Sequence, residues 1–270
     1  MKLHTLLKHT QESLFDALMA KYPNCYFQDG EYILVPGDIP IMLVAHLDTV
    51  HTEPPKQICT THNGNILMSP QGIGGDDRCG VYALMKLYEC SPEHHPWLLF
   101  TCDEESGCIG ASSFALDYES RLLPEGLDNL KLIIELDRKG SNDAVYYDCA
   151  NLDLEDYLLC MGWQTDFGSY TDICEIAPIM GVAAVNLSIG YYNQHTIGEY
   201  IDLDVVTANI ARVKDIILDI DNLPRFEWEE WDYAPKLTDN PLLAGWADYE
   251  GWEEDDDDLS SRILKGVNTK

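Results

Sequence analysis

Positive charge is scarce in this 270-residue chain: 17 Lys and Arg stand against 47 Asp and Glu, for a formal net charge of −30. Sequence-independent affinity for nucleic acid comes from Lys and Arg on phosphates, so this balance excludes nucleic acid as a partner. It equally argues against docking on an anionic membrane. No run of 18 or more apolar residues is present, which excludes a transmembrane helix. Met1 to Phe15 carries His4, Lys8, His9, Gln11 and Glu12 and lacks the continuous apolar core of a signal peptide. Nine cysteines, an odd number, are scattered without a CxxC pair. They suit reduced thiols better than a disulfide framework, and a cytoplasmic setting is expected.

What is present is an ordinary globular composition, 46% hydrophobic and 10% aromatic, which excludes wholesale disorder. The length allows one large domain or two small ones. The acids are unevenly placed. Phe226 to Leu259 holds 13 of them against the single base Lys236, together with Trp228, Trp231, Trp246 and Trp252. Residues 1–225 hold 34 acids and 13 bases. The chain therefore reads as a body, 1–224, followed by an acidic, Trp-rich tail, 225–270. The tail is expected to be a solubiliser, or else a segment that lies on a partner surface, since Trp and Tyr at this density rarely stay in water. The oligomeric state is open.

Apolar spacing predicts an amphipathic helix over Leu3–Ala20, stopped at Pro23-Asn24. A short strand is expected over Glu31–Val35. The continuous run IPIMLVA, Ile39–Ala45, has the character of a buried central strand. Further buried strands are expected at Trp97–Thr101, Leu130–Leu136 and Val182–Ile189. Helical stretches are expected at Gly80–Tyr88, Ala111–Leu122 and Val205–Leu218. Strands alternating with helices predict an α/β sandwich of three layers, with a mostly parallel or mixed central sheet between helices.

The polar residues of interest fall just beyond the buried strands, where open α/β sheets place their sites. They are His46-Leu47-Asp48, then Gly74-Gly75-Asp76-Asp77-Arg78-Cys79-Gly80, Asp103-Glu104-Glu105, Glu135 with Asp137, and His195. Gathering several carboxylates in one place calls for a cation. Two His and three or four carboxylates suit a divalent ion, Zn first, with Co or Mn also accommodated. The stoichiometry suggests two metals about 3.5–4 Å apart that share a bridging carboxylate and a water. One of Glu104 and Glu105 then binds metal while the other stays free as general base. On spacing alone Glu104 and Glu105 can exchange roles, as can Asp76 and Asp77, and Asp103 can belong to the site. Glu135 and Asp137 share a strand face, so either reaches it. Asp77 can instead cap the following helix. His51, His62, His94 and His95 have loop contexts and are expected to be exposed bystanders; Cys79 and Cys102 are expected to pack as small hydrophobes.

These motifs, in this order, resemble the co-catalytic zinc peptidases. That clan takes in leucyl and glutamyl aminopeptidases, zinc carboxypeptidases and aminoacylase-type deacylases. The resemblance covers about residues 39 to 205. It implies that Asp76 bridges two metals, with His46 and Asp137 on one and Glu105 and His195 on the other. It further implies that Asp48 orients the imidazole of His46, that Glu104 is the general base, and that Asp76 joins its neighbour through a cis peptide. Only 29 residues separate His46 from Asp76 and 57 separate Asp137 from His195. Neither gap holds the inserted lid or dimerisation domain of larger members, so a bare catalytic core is expected. Within the longer gap, Thr165–Gly168 and Tyr170–Asp172 look like the polar segment beside the substrate pocket.

The expected function is hydrolysis of an amide bond, foremost as an aminopeptidase acting on peptides. The alternatives are a deacylase or amidohydrolase acting on a small N-acyl amino acid, and a non-catalytic metal-binding interaction protein. The free base Glu104 counts against the last.

Overall fold

The computed structural model describes residues 1–90 and 94–231. Helices α1 (Leu3–Leu6) and α2 (Gln11–Lys21) lead into strands β1 (Tyr26–Gln28), β2 (Tyr32–Val35) and β3 (Ile41–His46). The short strands β4 (Cys59–Thr60) and β5 (Ile66–Met68) precede α3 (Gly75–Glu89). Then come β6 (Trp97–Thr101), α4 (Ile109–Glu119), β7 (Leu132–Arg138), β8 (Asp143–Val145) and α5 (Leu152–Cys160). The remainder is β9 (Gln164–Thr165), α6 (Asp172–Met180), β10 (Ala184–Ser188), β11 (Tyr191–Tyr192), β12 (Tyr200–Asp202) and α7 (Leu203–Asp219).

The main sheet has eight strands in the order β1-β2-β6-β3-β7-β10-β8-β9. Its centre, β6-β3-β7-β10, is parallel, and β2 and β8 join it antiparallel on either side. All six residues of β3 are buried, as a strand covered on both faces requires. Alternate side chains serve opposite layers. Ile41, Leu43 and Ala45 pack with residues of α1, α2, α3, α5 and α7, while Met42 and Val44 pack with α4 and α6. The expected three-layer architecture is therefore present. Among the described residues no helix is long and apolar enough to cross a membrane.

Several elements differ from the sequence reading. The expected single N-terminal helix is two, because Thr10 caps a new one by accepting the Ser13 N–H at 3.2 Å. Helix α6 was not anticipated: it is short and has Pro178 inside it. The second sheet, β11-β12-β5-β4, is built of strands two or three residues long, too brief to show a period. Met1–Trp231 form one compact unit. Arg225–Trp231, grouped with the tail by composition, run along this body. Phe226 is buried, its N–H donates to the Lys131 carbonyl, and Glu227 bridges Val182. The remainder of the tail, 232–270, lies outside the described residues.

Candidate metal centre

The carboxyl ends of the parallel strands place the site. His46 is the last residue of β3, Asp137 the penultimate residue of β7, and Asp103–Glu105 follow β6. Asp76 lies at the start of α3, where it and Asp77 depart from helical dihedrals and are joined by a cis peptide bond. The helix can approach the strands this closely only through glycine. A Cβ on Gly80 would lie 2.2 Å from the Leu136 carbonyl oxygen. His195 comes from the loop between β11 and β12, held at φ +61.

Asp76 is the hub. Its Oδ1 lies 3.0 Å from His46 Nε2, and that nitrogen is 3.5 Å from Asp137 Oδ1. Its Oδ2 lies 3.1 Å from His195 Nε2, which is 3.0 Å from Glu105 Oε1. The two oxygens of one carboxylate thus face two separate imidazole–carboxylate pairs. His46 is 1% exposed and His195 51%, so one pair is deep and the other borders solvent.

The surrounding bonds orient these groups. Asp48 Oδ1 pairs with His46 Nδ1 at 3.1 Å, and its two oxygens accept the N–H groups of Glu104 and Glu105 at 3.1 and 3.0 Å. One carboxylate thereby ties the loop after β3 to the loop after β6. Asp77 turns away from the hub: it accepts the Gly80 N–H at 2.9 Å and the His46 N–H at 3.3 Å. The helix-capping alternative is the one present. Glu135, the alternative to Asp137, is fully buried on the inner side and has neither carboxylate oxygen hydrogen-bonded. Asp103, also a candidate, instead bonds Gln11, accepting from its Nε2 at 2.8 Å. Thr171 Oγ1 lies 3.4 Å from Asp137 Oδ2, and Gly168 to Thr171 line the cavity over the site.

Four contributors escaped the sequence reading. Glu199, 1% exposed, accepts the N–H groups of Gly74 and Asp76, both at 2.9 Å, and so fixes the backbone that carries the hub. His51 supports it, with Nε2 3.2 Å from Glu199 Oε2, and is not the exposed bystander expected of a loop histidine. His95 is likewise half-buried, stacked on Tyr88. Tyr191 donates to Asp137 Oδ1 at 2.9 Å, while Asn186 receives the Asp137 N–H at 3.0 Å. A buried Glu immediately before β12 or a Tyr at a strand end has no local signature that marks such a role. Cys79 and Cys102 are buried as expected, and all nine cysteines are free.

The titration of these groups reflects crowding. Burial, reinforced by the charges of Asp137, Asp172 and Glu105, pushes Glu104 up to about 8 despite the opposing pull of His46. Burial and the adjacent Asp76 take Asp137 to about 7. Burial pulls on His46, yet Asp137, Asp48 and Asp76 outweigh it and hold the imidazole well above its ordinary value. The bond to Asp76 is the main cause that raises His195 to about 9. Burial opposes ionisation of Asp76 too, but the two imidazoles hold it well below the carboxylate range.

This donor set fits divalent ions. Ligand atoms around a tetrahedral ion with bonds of ~2.0–2.2 Å stand roughly 3.3–3.6 Å apart, close to the 3.0–3.5 Å observed here. Glu105 Oε1 is buried and has no geometrically satisfied hydrogen bond, although His195 is 3.0 Å away. His46, Asp76 and Glu105 present donor atoms mutually within 4.8 Å, as do His46, Asp77 and Asp137.

The fold is an α/β domain with a cluster of imidazoles and carboxylates at the carboxyl ends of its parallel strands. Residues 34–156 match the model of Peptidase family M28. No curated protein matches the chain. Among solved structures it is similar to a tripeptidase from Staphylococcus aureus, with TM-score 0.62 and 13% identity over 82% of this chain and 97% of that one. It is similar to aminopeptidase PepT from Bacillus cereus, with TM-score 0.60 and 14% identity over 81% and 97%. The TET1 peptidase of Pyrococcus horikoshii, which can assemble into a tetrahedron or a large octahedral shell, gives 0.58 and 13% over 80% and 99%. The resemblance to the co-catalytic zinc peptidases thereby holds. Family match, fold and donor set together support a metal-dependent peptidase.

Proposed function

We propose that the protein is a two-metal aminopeptidase whose substrates are peptides. The carrying observation is Asp76, each of whose oxygens faces its own imidazole–carboxylate pair. His46 and Asp137 would hold one divalent ion and Glu105 and His195 the other, with Asp76 shared; zinc suits this mix of nitrogen and oxygen donors. Bound there, the ions supply Lewis acidity toward the scissile carbonyl and lower the pKa of water toward ~7.

The chain's own groups do the rest. Glu104 lines the cavity beside Asp76 and Asp137, and takes the proton of the attacking water before returning it to the leaving amine. In the metal-free centre, burial and the neighbouring acids raise its carboxyl above that of an exposed glutamate. Its backbone is fixed by Asp48, so the side chain enters the cavity from a braced loop. Asp48 also sets the tautomer of His46 by engaging Nδ1. Nine free thiols fit the proposed cytoplasmic setting.

The test is a panel of free-amine, N-blocked and N-acyl substrates with and without chelator. Chelator-sensitive cleavage of the free-amine members supports the reading, and cleavage of N-acyl amino acids alone would replace it with a deacylase. Glu104→Gln is expected to retain metal and lose turnover by 100-fold or more, the scale of a lost general base.

A further inference from the structure

One cation at the site has no part in this chemistry. Among the described residues, Arg138 and Lys139 are the only Lys or Arg side chains lining the cavity of about 130 Å³ that contains Asp76, Glu104 and Asp137. Arg138 is committed: Nη2 donates to Asp166 Oδ2 at 2.5 Å and to the Phe167 carbonyl at 3.2 Å, and Nε lies 3.8 Å from Asp143. Lys139 is exposed and enters no ion pair among the described residues. Lys139 stands just beyond the end of β7, two residues after Asp137, and lines the same cavity. Gly140, at φ +89, then turns the chain away.

A cation at this position faces the substrate space of a body that is otherwise strongly acidic. A polyanion would be repelled by residues 1–225, with 34 acids to 13 bases. A small cavity whose one lysine enters no ion pair suits one carboxylate. We propose that Lys139 binds a carboxylate of the substrate, so that the site selects short peptides bearing that group within a residue or two of the scissile bond. The proposal rests on the hydrolytic reading above. The carboxylate has two sources, the C-terminus of a di- or tripeptide and an acidic side chain.

The experiment uses the full chain loaded with zinc. Cleavage of Ala-Ala is compared with Ala-Ala-amide, and Glu-Ala-amide with Gln-Ala-amide, in wild type, Lys139→Met and Lys139→Arg. A preference of about 10-fold in kcat/KM for one acid over its amide, carried by KM, is expected, as for one charge-assisted hydrogen bond. The pair that shows it identifies the source. The preference should vanish in Lys139→Met and return in Lys139→Arg. Calorimetry on the Glu104→Gln protein should show the same preference in binding. Cleavage of acid and amide at equal rates, or a preference that survives Lys139→Met, overturns the proposal while leaving the hydrolase reading in place. No cleavage of any of the four overturns both.

Discussion

Stripping divalent ions from the centre and raising the pH is expected to destabilise the body. Glu104 is raised to about 8, Asp137 to about 7 and Asp172 to about 6, burial being the first cause in each; the bond to Asp76 raises His195 to about 9. A raised group holds its proton in the folded state where the unfolded chain has lost it, so unfolding free energy falls as pH rises between the two values. Carboxyls and imidazoles act in the same direction here. Asp48 and Asp76 are lowered, and their contribution is lost only in acid, below the window considered. Between pH 5.5 and 8, Glu104 alone corresponds to about 3 kcal/mol at ~1.4 kcal/mol per pKa unit. For a body of this size that is roughly 6–12 °C in Tm. Calorimetric scans of chelator-treated protein at pH 5.5 and 8.5 measure it, with zinc-loaded protein as reference. Bound cations take the place of the protons, so the loaded protein should show a shallower dependence. A metal-free Tm that is equal or higher at pH 8.5 would refute the reasoning.

Three substitutions follow from the same geometry. Asp48→Asn leaves the Glu104 and Glu105 N–H groups competing for one oxygen and is expected to weaken metal binding 10–100-fold, measured against a fluorescent chelator. Glu199→Gln presents an amide NH2 where a second acceptor stood, so one of the Gly74 and Asp76 N–H groups loses its partner; denaturant unfolding should show a loss of about 1–3 kcal/mol. Phe226→Ala should cost about 3–5 kcal/mol in the same assay, because its ring is buried in the main core cluster. A loss below 1 kcal/mol would place Phe226 outside the body.

The legible part of the fold was its buried parallel centre. Strands such as Trp97–Thr101 are continuous apolar runs, and sheet topology then sends the polar residue after each run to one edge. That is why His46, Asp76, Glu105, Asp137 and His195 meet although they are spread over 150 positions of the numbering. What stayed hidden is held by long-range bonds rather than by pattern. Glu199 reaches Asp76 across 123 residues, and His51 matters only through Glu199. The choice between Asp76 and Asp77 is likewise conformational: neighbouring carboxylates turn opposite ways because one caps α3. Phe226 was read by composition as tail because its acidic neighbours mask a side chain that fills the core.

The central claim is a shared two-metal centre with Asp76 at its hub, and bound zinc per chain tests it most directly. Elemental analysis of zinc-equilibrated protein should give close to two ions for wild type, close to one for His195→Ala and close to none for Asp76→Ala. Wild type that binds one ion or none, or Asp76→Ala that retains both, would contradict it.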